Sequence, residues 1–183
     1  MRVYKFRLLT DAQDGFIRDF EIAEDQTFYE FHLAILQTTT LAGNELASFF
    51  ACDSDWMKES EITLIDMRAP GELPKLDAPM QQFVMKDERV DDFIQSPRQR
   101  FLYEYDFLNV KTFFIELIDA YEGDKNTRYP NCCFRKGLLT DKTGLANLGD
   151  DVEPFDENSI LQDFNNLLHQ ALEEEDPESE DLV

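Results

Sequence analysis

The amino-acid sequence predicts an α+β fold, a mixed β-sheet covered by one helix. Three observations lead to this prediction: an aromatic-rich hairpin in the middle of the chain, a capped amphipathic helix that follows an N-terminal hairpin, and an apolar content of 43% that includes sixteen Phe. A single domain of 183 residues buries roughly 70% of the surface of its unfolded chain. The fold therefore needs no metal or disulfide to be stable.

The central hairpin comprises residues 100–107 and 112–118. In its first strand, aromatic residues alternate with Leu102, Glu104 and Asp106, which is the period of a strand with one buried face. These aromatic residues are Phe101, Tyr103, Tyr105 and Phe107. The second strand carries apolar residues on both faces, which predicts that it is covered on both sides.

The N-terminal part of the chain predicts a hairpin followed by a helix. Residues 2–9 and 16–22 flank a turn that contains Asp14-Gly15. Thr27 and Glu30 have the spacing of a capping box, which marks the start of a helix. The helix should end near Thr38-Thr39-Thr40, and its buried face should carry Phe28, Phe31 and Ile35.

The remaining elements complete the predicted sheet. Strands are expected at 46–52, 61–66 and 83–85, and a helical turn at 90–94. Prolines and a glycine predict a surface loop over 68–82, and weak periodicity predicts a loop-rich segment over 122–151. A hairpin, a covering helix and further strands in this order indicate a mixed sheet related to the β-grasp, or ubiquitin-like, fold.

Residues 150–183 are predicted to form an acidic C-terminal helix and tail, separate from a single α+β domain at 1–149. Ser159 and Gln162 have the spacing of a second capping box. An amphipathic helix should follow and either dock on its own domain or lie in a partner's groove. Its candidate partner-binding residues are Ile160, Phe164, Leu167, Leu168 and Leu172.

Charge and cysteine content limit the possible partners and compartment. The net charge is −22, and residues 150–183 contain thirteen acids and no Lys or Arg. Such a chain is repelled by phosphate backbones and anionic membranes, so direct nucleic-acid or membrane binding is disfavoured and an unknown protein is the expected partner.

Three cysteines, two of them adjacent (Cys132 and Cys133), fit a reducing compartment. We expect a cytoplasmic protein without an apolar leader.

Few residues of the sequence are candidates for catalysis or for binding a metal or ligand. His32 is the one candidate for acid-base or ligand work, and a buried histidine with one hydrogen bond is the simpler interpretation. Glu104 and Asp106 could act with it on a cation or a substrate, although a solvated polar face is the simpler interpretation of these two carboxylates. The Cys132-Cys133 pair lacks the spacing of a zinc site. We assign no catalytic, metal or cofactor-binding residues and expect no cofactor.

Three segments together resemble one known family. They are Phe28-Tyr29-Glu30-Phe31-His32, the strand Phe101 to Phe107, and Tyr129-Pro130-Asn131-Cys132. Their order and spacing over residues 1–137 are similar to those of the Ri-plasmid ORF-3-like family, also met as the TnpR-labelled passenger protein of an insertion-sequence transposon. The resemblance implies an α+β fold, a bacterial setting and, in some relatives, a link to mobile elements; it brings no established activity.

Two departures from the family pattern affect its surface. The chain has Leu108-Asn109-Val110-Lys111 where relatives usually carry a Gly-Asp-x-Trp-like turn, and it lacks a Pro-Pro-Glu-Asp box after the Tyr-Pro-x-Cys element. The TnpR label suggests a resolvase. A resolvase needs an activated serine among arginines and a basic surface, and this chain shows neither pattern.

Three functional hypotheses follow. The leading one is a non-enzymatic protein-interaction module, because the sequence contains no catalytic constellation. The second is a carboxylate/His-dependent hydrolase or metal-dependent enzyme, which requires His32, Glu104 and Asp106 to converge in one pocket. The third is an acidic inhibitor that mimics nucleic acid, which requires rows of carboxylates at phosphate-like spacing.

Overall fold

The computed structural model describes residues 1–68 and 80–139 of the chain. Within these ranges the elements follow one another in this order: β1 (Arg2–Leu9), β2 (Ile17–Ala23), α1 (Phe28–Thr38), β3 (Ala47–Cys52), β4 (Lys58–Thr63), β5 (Gln81–Val84), a 3-10 helix (Asp91–Phe93), β6 (Arg100–Tyr105), β7 (Lys111–Glu122) and β8 (Asn131–Lys136).

The strands form one eight-stranded sheet in the order β5-β4-β3-β6-β7-β1-β2-β8. β4 and β5 pair in parallel, and the other neighbouring pairs are antiparallel. A mixed sheet with one α-helix among the described residues confirms the predicted α+β class. The relation to the β-grasp fold remains a prediction.

The start of α1 matches the predicted capping box. The backbone N–H of Glu30 donates to the Thr27 hydroxyl, and the Glu30 carboxylate accepts from the backbone N–H of Thr27. The helix ends at Thr38, and the backbone N–H of Thr39 donates to the carbonyl of Leu36. The capping side chains and the β-branched run therefore determine both ends, as predicted.

The core lies between α1 and the sheet and consists largely of aromatic rings. Phe28 packs 5.1 Å from Phe49, and Phe31 packs 5.4 Å from both Phe6 and Phe20, as measured between ring centroids. Burial of each such side chain contributes roughly 1.5–3 kcal/mol. We call this side of the sheet the helix face.

Phe107 is an exception to the predicted alternation. Phe101, Tyr103 and Tyr105 are buried on the helix face, whereas Phe107 is 42% exposed. β6 ends at Tyr105, and Asp106 has a φ of 63°, which turns the chain before the next inward position is reached. The prediction of a buried Phe107 is therefore wrong.

The segment 122–151 was predicted to be loop-rich, but residues Asn131–Lys136 form strand β8. Most of its side chains are partly or fully exposed, so its sequence lacks the alternation that identifies a half-buried strand. Pairing with β2 determines the structure of this segment instead. β4 also begins at Lys58, three residues before the predicted strand. Residues 69–79 of the predicted loop and the predicted C-terminal helix lie outside the described residues.

Candidate functional site

His32 is fully buried in the core. Its Nδ1 lies 2.9 Å from the Tyr103 hydroxyl, and its Nε2 has no hydrogen-bond partner. Because burial penalises the charged ring, the pKa of His32 falls from 6.5 to about 4. The ring stays neutral at physiological pH and is enclosed by the core, so it cannot exchange protons with a substrate at the surface.

Glu104 and Asp106 do not join His32. Glu104 follows Tyr103 in β6, so its side chain points to the opposite face of the sheet, where it binds Lys58 Nζ at 2.6 Å. Asp106 lies in the turn after β6, and its Oδ1 accepts the backbone N–H groups of Leu108 and Asn109. The predicted convergence of these three residues in one pocket is therefore wrong.

Cys52 lies on β3 and is separate from the Cys132-Cys133 pair on β8. Cys132 and Cys133 are consecutive residues of β8 and are free thiols. Burial raises the pKa of the Cys52 thiol to about 11, which keeps it protonated. Within residues 1–68 and 80–139, no group of His, Cys, Asp and Glu side chains could hold a metal ion. In the same ranges, no helix is long and apolar enough to span a membrane.

The second face of the sheet, opposite α1, carries a continuous line of apolar side chains, which we call the apolar row. The pairing register places one member on each of five neighbouring strands, β3, β6, β7, β1 and β2. The members are, in that order, Phe50, Leu102, Phe114, Leu9 and Ile17. The row crosses the sheet perpendicular to its strands.

The members of the apolar row differ in exposure. At one end, Trp56 and Met80 pack against the buried Phe50 and Leu102. Phe114 and Ile17 are half-buried, and Leu9 is 40% exposed. In the part of the chain that the structure describes, α1 packs on the helix face, so the second face has no helix on it. The exposed and half-buried members of this line, with charged neighbours beside them, make the second face a candidate interaction surface.

A parallel line of alternating charges, the charge row, runs beside the apolar row. It consists of Arg100, Glu116, Arg7 and Asp19 on β6, β7, β1 and β2. Arg7 forms a bidentate pair with Asp19, with both N–O distances at 2.8 Å. This hydrogen-bonded pairing raises the pKa of the Arg7 guanidinium. Signs alternate along this line, so it does not resemble the uniform charge of a nucleic-acid backbone.

Trp56 lies in the β3–β4 turn at one end of both rows. Its φ is 65°, a left-handed conformation that is costly for a large side chain. Asp53 stabilises the turn, because its Oδ1 accepts the N–H groups of Asp55 and Met57 at 2.8 and 2.9 Å. The indole and the Phe114 ring are nearly perpendicular, with 5.1 Å between their centroids, and the Arg100 guanidinium lies 4.9 Å from the indole centroid.

Sequence reasoning missed this face. The apolar residues on both faces of β7 were recognisable, since Phe114 and Ile118 interrupt the alternation. Trp56 carried no signal for a left-handed backbone, because such positions are usually occupied by Gly, Asn or Asp. Backbone strain in a folded protein often coincides with a functional surface. Trp56 and the apolar row are therefore the best candidates for a binding site.

Comparisons with known proteins place the fold and the family. None of the curated proteins matches the chain. One solved structure, described as a protein of unknown function, MM3350 from Methanosarcina mazei Go1, matches with a TM-score of 0.61 and 18% identity. The match covers 92% of this chain and 82% of that chain, and at this identity it shows a shared fold. The family model for plasmid pRiA4b ORF-3-like proteins matches residues 2–183, and the chain belongs to that family.

Proposed function

We propose that this protein is a non-enzymatic protein-interaction module and that the second face of its sheet is the binding surface. The observation that supports this proposal is the apolar row, which crosses five strands and ends at the strained Trp56. Binding hot spots are rich in Trp, aromatic and Arg side chains surrounded by polar groups. Trp56, Phe114 and Arg100 form such a group, with charged side chains beside it.

Rigidity also favours a binding surface here. The side chains of the apolar row stand on paired strands, and hydrogen bonds to Asp53 hold the Trp56 turn. A surface that is ordered before binding loses little conformational entropy when the partner arrives. The enzyme hypothesis lacks comparable support, because His32 and Glu104 lie on opposite faces of the sheet.

Affinity purification from the native host, with three forms of the full chain as bait, tests the proposal. Leu9→Lys puts a charge on the most exposed member of the apolar row, so we expect it to lose specific partners that the unmodified chain recovers. Leu108→Lys is the matched control, since Leu108 is 71% exposed in the β6–β7 turn and is not a member of the row. If Leu9→Lys keeps the native melting temperature and recovers the same partners, the second face is not the binding surface.

The C-terminal segment is a second element of this proposal. We propose that residues 159–172 form an amphipathic helix whose apolar side chains bind a partner, namely Ile160, Phe164, Leu167, Leu168 and Leu172. The chain truncated after Gly149 tests it. A shortened protein that keeps its melting temperature but loses a partner supports this role, whereas a lower melting temperature assigns the segment to stability.

The finer assignments of fold and setting also belong to this proposal. We propose that the domain is related to the β-grasp fold, since the hairpin β1–β2 is followed by α1, which packs on the sheet through Phe28 and Phe31. We propose that the protein works in the cytoplasm beside mobile genetic elements, as the resemblance to transposon passenger proteins suggests. Comparison of partners recovered from hosts with and without the element tests this setting.

A further inference from the structure

We infer that the second face binds an acidic amphipathic segment of a protein partner, whose carboxylate pairs with Arg98 and whose apolar side chains cover the apolar row. This inference rests on the proposed function and names the chemistry of the partner.

Two guanidinium groups share one carboxylate at this end of the charge row. Arg98 contacts Glu116 Oε1 through Nε and Nη2, both at 2.8 Å, and Arg100 Nε contacts Glu116 Oε2 at 3.2 Å. Both oxygens of Glu116 are therefore engaged, and the trio carries one excess positive charge. The side chain of Arg98 is 78% exposed and presents further N–H donors to solvent.

Apolar surface lies next to this excess charge. Arg100, which also donates to the Ser54 carbonyl, stacks on Trp56, and Trp56 touches Phe114 of the apolar row. The Asp53 carboxylate in the same turn accepts two backbone N–H groups through Oδ1 and keeps its negative charge, so the outward-facing Arg98 is the group that attracts a ligand carboxylate. A ligand that pairs with Arg98 and also covers the apolar row therefore carries a carboxylate beside aliphatic or aromatic side chains.

The net charge of the chain disfavours nucleic acid as the partner. A chain with a net charge of −22 repels an extended polyanion such as nucleic acid along most of its surface. A short acidic segment needs one local attraction and obtains the rest of its affinity from apolar contact. Electrostatic complementarity of this kind contributes more to specificity than to affinity.

A selection from randomised peptides tests the inference with the full chain. Peptides of about twelve residues, long enough for three helical turns, are displayed on phage and selected on the immobilised protein. We expect the enriched sequences to combine Asp or Glu with Leu, Ile or Phe at helical spacing. Binding of each enriched peptide is then measured by fluorescence, because Trp56 is the single Trp of the chain and lies in the site.

Matched variants separate the inference from the proposed function. Arg98→Gln should weaken binding of the acidic peptides about two- to fivefold, as expected for an exposed ion pair. Arg128→Gln replaces an exposed arginine between β7 and β8 and should leave binding unchanged. Three results would overturn the inference: enrichment of neutral or basic peptides, unchanged peptide binding to Arg98→Gln, or saturable binding of a single-stranded oligonucleotide that Arg98→Gln weakens. In each of these cases the proposed face still stands if Leu9→Lys abolishes peptide binding. Equal enrichment on Leu9→Lys and on the unmodified chain contradicts the face itself and the inference with it.

Discussion

The buried His32 makes the stability of the domain depend on pH. Its pKa is about 4 in the folded protein, against 6.5 for an unperturbed histidine, because the core disfavours the charged ring. Well above pH 6.5 the ring is neutral in both states. As the pH falls, the unfolded chain binds a proton before the folded protein does, so the free energy of unfolding decreases until the pH passes below 4.

The size of this effect follows from the two pKa values. Each unit of difference corresponds to about 1.36 kcal/mol, so the complete loss is about 3.4 kcal/mol and about 2 kcal/mol of it is reached at pH 5. Chemical denaturation of the full chain between pH 7.5 and 5 measures the loss. His32→Gln cannot titrate, and we expect its stability to fall less over the same range by about 2 kcal/mol.

The carboxylates titrate in both the unmodified chain and His32→Gln. Their contribution therefore cancels when the pH dependence of the free energy of unfolding is compared between the two proteins. His169→Gln, a substitution of the other of the two histidines, is the matched control and should retain the pH dependence of the unmodified chain. Parallel stability curves for the unmodified chain and His32→Gln would show that His32 is not kept neutral by burial, and the assignment of this residue to the core would be wrong.

Three further predictions concern local structure, each measured as the free energy of unfolding. Thr27→Ala should cost about 1 kcal/mol, because it removes the N-cap of α1; no change would mean that the capping box is not needed. Arg18→Met should cost at least about 2 kcal/mol, because the buried guanidinium donates to the carbonyls of Ile17, Thr38, Lys136 and Gly137. Gly137→Ala should cost more than Gly15→Ala, although both glycines have a positive φ. A Cβ at 137 would lie 2.7 Å from the carbonyl oxygen of Gly15, whereas a Cβ at 15 would meet nothing within 4 Å. Equal losses of stability would exclude this clash.

Local patterns explain how much of the fold could be predicted. The capping box at Thr27 is formed by residues three apart, and the alternation of Phe101, Tyr103 and Tyr105 follows from the geometry of a single strand. Both are complete within a few residues, so neither depends on the rest of the chain. The prediction that Phe107 is buried failed for the same reason, because the alternation of side chains within a strand does not show where that strand ends and turns.

The candidate site depends on contacts between distant parts of the chain. Leu9, Phe114 and Leu102 become neighbours because β1, β7 and β6 lie side by side in a particular register. β8 likewise becomes a strand because β2 offers it backbone partners. Neither the strand order nor the register has a signature in any single segment, so the apolar row could not be predicted.

The sequence by itself determined the α+β class, the limits of α1 and the acidic character of the chain, because propensity, periodicity and charge act over short distances or add up independently of the fold. Only the tertiary structure decided that His32 is enclosed by the core and that Trp56, Arg100 and Phe114 meet at one end of the sheet. Such side chains are brought together by the pairing of strands far apart in sequence, and that pairing is a property of the whole sheet.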